Sequence, residues 1–460
     1  MSSSTSQAGR RIESLLDEKS FVEIGSLVRA RATDFNMKPD DTPSDGVITG
    51  YGTIDGARVY VYSQDASVMG GSIGEMHAKK ICNLYDLAMK TGTPIIGILD
   101  SSGVRLEEST DALNAIGEIY QKASMAKGLV LQIAAVYGNC GGGLSLIPAL
   151  SDFTFMESKA KLFVNSPDAI PGNYTAKNDT SACAFQSEDS GNADFTGTED
   201  ELASQIRQLV EMLPANNEDV AVIDSTDDLN RVVENAAGCA SDTSILLSNI
   251  ADDNLFVEAG AAYAKEMVTG FIRLDGITVG CVANRNEVIG EDGKAAEKFD
   301  GVLTVKGCRK AADFIYFCDS FGIPVLSVTN VKGYEASMCA EKNIARAAAE
   351  LINAFTSCDV PRVNLIVGKA LGSAYAVMNS KACGCDLTYC WPGAEIGAMD
   401  SKLAAKLIAK NADDVNKTAD ALAGLQNSAN GAAAHGYVDG IIEPDDTRKH
   451  LIYAFEMLFA

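Results

Sequence analysis

Short apolar runs along the chain alternate with stretches of about ten or more residues at helical spacing, the order expected of parallel or mixed sheets covered by helices. The order then repeats. Phe21-Val22-Glu23 recurs as Phe256-Val257-Glu258, and Ile54-Asp55-Gly56 with Val59 recurs as Leu274-Asp275-Gly276 with Val279. Each second pair is an apolar strand broken by a two-residue Asp-Gly turn, which signals a hairpin. A helix follows in each half. Gly92-Thr93-Pro94 then matches Gly322-Ile323-Pro324 at an offset of 230 residues, and the same offset relates the strand 133–138 to 363–368 and Gly142-Gly143 to Gly372-Ser373. An ordered series of strand, turn, helix, strand and small-residue loop predicts a duplicated α/β fold, with halves at residues 1–235 and 236–460.

Polar segments mark the joints. Residues 212–250, with Pro214 and the polar stretch around 227–235, read as the connection between halves, and residues 173–201 read as a loop or flap. The first eleven residues read as a short disordered lead rather than a signal peptide.

Length agrees with two domains, since 460 residues exceed what one core usually supports. The chain is 47% apolar but has no run long enough to span a bilayer. Its net charge of −24 speaks against nucleic acid as a partner. The twelve cysteines lie in apolar contexts and read as reduced core residues; Cys383, Cys385 and Cys390 lack the second paired half of a zinc site. Three dispersed histidines, His77, His435 and His450, give no metal site, and no serine or cysteine sits in a nucleophile elbow.

A backbone device stands out instead. One apolar strand runs into 138–145, with Gly142 and Gly143, and its twin runs into 368–375, with Gly372, Ser373, Ala374 and Tyr375; each then enters a helix. Small residues admit a ligand close to the main chain, and free N–H groups at a helix start stabilise negative charge there. Such a turn can serve as an oxyanion hole. Tight helix–strand packing is the alternative reading of the same glycines.

The stretches 45–56, 61–65, 70–80, Asp100-Ser101-Ser102-Gly103-Val104-Arg105, 138–143, 369–375 and 391–397 closely resemble the carboxyltransferase subunits of propionyl-CoA and related acyl-CoA carboxylases. The resemblance covers nearly the whole chain, strongly over 11–170 and more loosely over 250–450. It implies two tandem crotonase-like β/α repeats, with acyl-CoA on the N-terminal half and biotin on the C-terminal half. By it, the amides of Gly142 and Gly143 hold the thioester oxygen of an enolate, and those of Ser373 and Ala374 hold the ureido oxygen of biotin. Arg105, in a loop after a strand end, is the expected contact for coenzyme A phosphates, and Gly372 and Tyr375 the expected contacts on the biotin side. No residue is expected to bind metal. The family places each active site between the N-terminal half of one subunit and the C-terminal half of another, so a homodimer or homohexamer is implied.

The chain carries no ATP site, and Ala88-Met89-Lys90 lacks the context of a biotin attachment site, so biotin must arrive on a carrier protein. The implied partners are a biotin carboxyl carrier protein with either a soluble biotin carboxylase or membrane decarboxylase subunits, in the cytoplasm or peripheral to the inner membrane. Three departures stand out: Val331-Lys332-Gly333-Tyr334 replaces a Pro-Gly-Phe run, residues 181–186 replace a Gly-Gly-Ala stretch, and Ala376 replaces an aspartate lining the acyl pocket of propionyl-specific relatives. A carboxylase subunit, a decarboxylase subunit and a non-catalytic assembly or binding module therefore remain open, with a simple hydratase disfavoured by the missing paired glutamates.

Overall fold

The computed structural model describes residues 6–32, 42–290, 292–409, 411 and 414–459. It divides into two compact units, Met1–Asp219 and Val220–Ala460.

In unit 1 the order is α1 (Gln7–Leu15), β1 (Val22–Ile24), β2 (Val47–Ile54), β3 (Ala57–Gln64), α2 (Glu75–Thr91), β4 (Ile95–Ser101), α3 (Ser109–Ala126), β5 (Gln132–Gly141), α4 (Leu146–Leu150), β6 (Phe153–Glu157), β7 (Lys161–Phe163), β8 (Phe195–Gly197) and α5 (Glu199–Met212). The sheet runs β1-β2-β3-β4-β5-β6-β8, with β7 paired to β5. Pairing is antiparallel from β1 to β3 and parallel beyond. The apolar faces of α2 and α3, including Ile81, Tyr85, Ile116 and Ile119, close over Leu99, Ala134 and Val136 in one core.

Unit 2 follows with α6 (Thr243–Ile250), β9 (Phe256–Ala259), β10 (Met267–Leu274), β11 (Ile277–Asn284), β12 (Glu287–Ile289), β13 (Ala295–Lys298), α7 (Val305–Ser320), β14 (Val325–Val331), α8 (Ile344–Ser357), β15 (Arg362–Leu371), α9 (Gly372–Val377), β16 (Leu387–Cys390), β17 (Glu395–Gly397), α10 (Ser401–Ile408), α11 (Val415–Leu425), α12 (Ala429–Ala434), β18 (Gly440–Ile441) and α13 (Thr447–Leu458). Its sheet, β9-β10-β11-β14-β15-β16-β18 with β17 paired to β15, has the topology of the first. The β12–β13 hairpin and the α10–α11 pair have no counterpart among the described residues of unit 1.

One fastening is built twice. The Asp17 carboxylate accepts the N–H groups of Asp55 and Gly56, both at 3.0 Å, and meets Arg207 of α5 at 2.9 Å. The Gly56 amide first, and the Thr53 hydroxyl next, hold the Asp17 carboxyl well below its usual range. Asp252 likewise accepts the N–H groups of Asp275 and Gly276, at 3.2 and 2.8 Å, and meets Arg448 of α13 at 2.6 Å. Both Asp-Gly turns have two residues at positive φ, the mirror-image turn that suits strand twist.

Several expectations are corrected. The unit boundary falls at Asp219 rather than at 235, because Ile223 N–H bonds Gly276 O and Val233 N–H bonds Asp445 O, which fastens this stretch to unit 2. The N-terminal lead is α1 from residue 7, capped by Ser6 and anchored by buried Ile12 and Leu15; residues 1–5 lie outside the described residues. The 173–201 segment is partly regular, with a π-helical turn at Phe185–Asp189, β8 and a Thr198–Glu201 capping box. All twelve cysteines are free and nine are buried, as their apolar contexts imply. Among the described residues no helix is long and apolar enough to cross a membrane.

Candidate functional site

The two glycine turns arise from a shared irregularity. Leu99 faces Val136 and Ser101 faces Cys140, so β5 carries two extra residues between these pairs; Thr329, Ile366, Val331 and Ala370 repeat the pattern in β14 and β15. The bulge is shaped by a side-chain oxygen near the end of the preceding strand, from a carboxylate in unit 1 and an amide in unit 2. In unit 1, Asp100 accepts the Asn139 N–H and occupies the place a Gly138 side chain would take. In unit 2, Asn330 accepts the Lys369 N–H at 3.0 Å and crowds Gly368 likewise. Glycine is required at both.

Beyond the bulge the chain turns at Gly142 with φ +62° and at Gly372 with φ +64°, a conformation that glycine adopts without strain. A short helical segment opens at each, and its leading N–H groups have no partner within the turn. Nothing lies within 4 Å of where a Gly142 side chain would start, and Gly143 is exposed, so the first turn is open to a ligand. In the second, Ser373 is exposed while Ala374 is fully buried. Each turn carries a tyrosine that sequence reasoning missed. Tyr120 O–H donates to Gly143 O at 2.6 Å, and Tyr334 O–H bonds Ser373 Oγ at 3.2 Å. Tyr334 belongs to the segment that replaces Pro-Gly-Phe, so that departure lies against the second turn.

The expectation for Arg105 is corrected. Its side chain is fully buried; one Nη meets Asp45 Oδ1 at 2.6 Å and Glu108 Oε1 at 2.9 Å, while Nε and the other Nη meet Ser72. Four of its five N–H donors are taken and the side chain has no exposed surface with which to reach a phosphate. Glu108 accepts the Glu75 N–H at the start of α2, and burial pushes the Asp45 carboxyl up against the pull of Arg105. Arg105 therefore fixes the loop between β4 and α3. Tyr375 is half-buried and packs on the cluster of Ile366, Ala370 and Ile396, and burial pushes its hydroxyl up to about 12.

Arg11 was also invisible in the sequence. It reaches from α1 to Asp100 at 2.9 Å, to Glu199 at 2.7 Å and to Tyr137 O, beneath the first bulge. The repeat held a usable signal, because Asp100 and Asn330 stand 230 residues apart at equivalent strand ends.

His77 completes this polar core. Its Nδ1–H donates to Asp45 O at 3.0 Å, which leaves Nε2 to accept from Gln64 at 3.3 Å, and Gln64 Oε1 in turn accepts the Asp100 N–H. A protonated ring would set donor against donor. Burial first, then the Arg105 charge, hold its pKa down to about 3. The unfolded chain takes this proton at about pH 6.5, so stability is lost as pH falls from there toward about 3. We expect denaturant unfolding of the full chain to show a steep loss between pH 7 and pH 4 that His77→Gln flattens; an unchanged slope would exclude His77 as its source.

A model of the carboxyl transferase domain matches residues 5–460. The propionyl-CoA carboxylase beta chain of Roseobacter denitrificans is 38% identical, over 98% of this chain and 90% of its own. The methylmalonyl-CoA decarboxylase alpha subunit of Veillonella parvula is 36% identical, over 98% and 89%. A transcarboxylase 12S crystal structure, a hexamer with hydrolysed methylmalonyl-coenzyme A bound, superposes with a TM-score of 0.90 at 33% identity, covering 99% of this chain and 90% of that one.

Proposed function

The chain belongs to the carboxyl transferase family and is a biotin-dependent acyl-CoA carboxyltransferase, and we propose that its two glycine turns divide the reaction between them. Gly142 and Gly143 hold the thioester oxygen of a short acyl-CoA, propionyl-CoA or acetyl-CoA, as negative charge develops on it. The observation that carries this reading is the open, left-handed turn at Gly142 with unobstructed space before it. An amide aimed at developing charge is worth about 3–4 kcal/mol of barrier.

Gly372, Ser373 and the main chain of Ala374 would hold the biotin ring. The second turn fits such a group: a Gly372 side chain would meet only Ala398 O, at 3.5 Å, so the main chain is approachable there. Biotin, carried on a partner subunit, supplies the carboxyl group and a ring nitrogen. Ser373 and Tyr334 orient the ring edge, and Gly142-Gly143 hold the enolate that accepts or releases the carboxyl group. We place the chain in the cytoplasm, as a homo-oligomer working with a biotin carboxyl carrier protein and a biotin carboxylase.

The test separates the halves. Decarboxylation of methylmalonyl-CoA or malonyl-CoA is followed with free biotin, and binding of each reactant is measured apart. Ser373→Leu, at an exposed position, should raise the KM for biotin about tenfold and leave acyl-CoA binding unchanged. Equal loss of both would merge the two turns into one function. Acyl-CoA binding by the wild type with no transfer to any short acyl group would instead make the chain a non-catalytic binding module, with the Val331–Tyr334 segment as the cause.

A further inference from the structure

Unit 2 departs from its repeat directly after the hairpin strands. In unit 1 a loop, residues 65–74, joins β3 to α2; in unit 2 residues 285–304 join β11 to α7 and fold β12 and β13 on the way. This added hairpin walls a cavity of about 330 Å3. Lys298 comes from β13, Lys332 from the segment after β14, and Lys369 from the second bulge.

The three ammonium groups are poorly spent on the protein. Lys332 is exposed and has no ion-pair partner among the described residues. Lys369 reaches carboxylates only at 3.8 and 3.9 Å, on Glu395 and Asp400. Lys298 alone has a close partner, Glu287 at 2.7 Å. Glu287 and Asp300 also line the cavity, so its lysines outnumber its carboxylates in a chain of net charge −24. The lining holds one more unmet group: Asn286 Oδ1 is buried with no hydrogen-bond partner among the described residues. A buried amide in that state is normally completed by something that enters, and turned about its last bond it presents N–H groups to an acceptor.

We propose that this cavity is a binding site for a small oxyanion of the dicarboxylate or phosphate class, held by Lys298, Lys332 and Lys369 with the Asn286 amide. Ammonium groups on separate elements converge on such an anion with charge-assisted bonds. The site lies beyond the roles given to the two glycine turns and does not depend on them. Its source is either a free small anion or a phosphate of coenzyme A.

Calorimetry on the full chain at low ionic strength tests it, with malonate, inorganic phosphate and coenzyme A as separate titrants. Malonate or phosphate should bind saturably, and Lys332→Gln, which touches no partner, should weaken that binding about tenfold without moving the melting temperature. Lys298→Gln provides a second variant and should do the same. Displacement of malonate by coenzyme A, abolished in Lys332→Gln, identifies a coenzyme phosphate as the occupant; failure to displace identifies a free anion. Absence of saturable binding of all three titrants, or equal affinity in wild type and both variants, overturns the proposal.

Discussion

Gly143→Val should leave unit 1 folded and slow carboxyl transfer about a hundredfold to a thousandfold. Gly143 is suited to this test because its φ is not in the left-handed region, so valine needs no strained backbone there. The added carbon would meet only the Tyr120 hydroxyl, at 2.7 Å, and Ile116 Cδ1, at 3.9 Å. Tyr120 can swing outward, since its hydroxyl bond to Gly143 O is at the surface. What cannot adjust is the space before the turn, which the valine methyls fill. Gly142 would be a poorer choice: at φ +62° any side chain adds backbone strain of about 1 kcal/mol or more and confuses folding with function. Steady-state kinetics beside a thermal melt decide the matter. A normal rate in a folded variant returns the glycines to a packing role.

The second large effect is on stability. Arg105→Leu should cost unit 1 about 3–5 kcal/mol, the usual result of removing one partner from a buried ion pair. Asp45 and Glu108 have fully buried side chains and share the Arg105 guanidinium, so the variant strands two carboxylates at once. Glu108 also caps the start of α2 and Asp45 accepts the His77 N–H, so the loss spreads to the helix. Arg105→Lys keeps the charge but not the fork and should fall between. Denaturant unfolding measures both. The competing expectation, that Arg105 grips coenzyme A phosphates, makes the opposite forecast of a raised acyl-CoA KM with unchanged stability.

Arg105 illustrates where the sequence stops being legible. A loop arginine after a strand end reads the same whether it faces solvent or the interior; the deciding carboxylates stand at Asp45, sixty positions away, and at Glu108, where the i, i+3 spacing was the one local hint. Arg11 hid for a similar reason, since its partners Asp100 and Glu199 come from distant strand and helix ends. The duplication, by contrast, was readable because it is written in order and spacing: the Asp-Gly hairpins, the Gly-x-Pro strand entries and the glycine turns all recur in the structure as paired elements. Side-chain direction was not readable. Ser373 and Ala374 are adjacent and chemically small, yet one faces solvent and the other the core.

The paired aspartates under the hairpins carry a further consequence. Asp17 and Asp252 each gather an early loop, a hairpin turn and a late helix into one corner of their unit. Any segment inserted between those points lengthens a loop whose ends are already held, and each doubling of such a loop costs only about 0.6 kcal/mol in closure entropy. The β12–β13 hairpin and the α10–α11 pair both fall within the span fastened by Asp252. The fastening thus gives unit 2 an insertion tolerance, which lets a duplicated scaffold acquire surface of its own while its sheet keeps the inherited register.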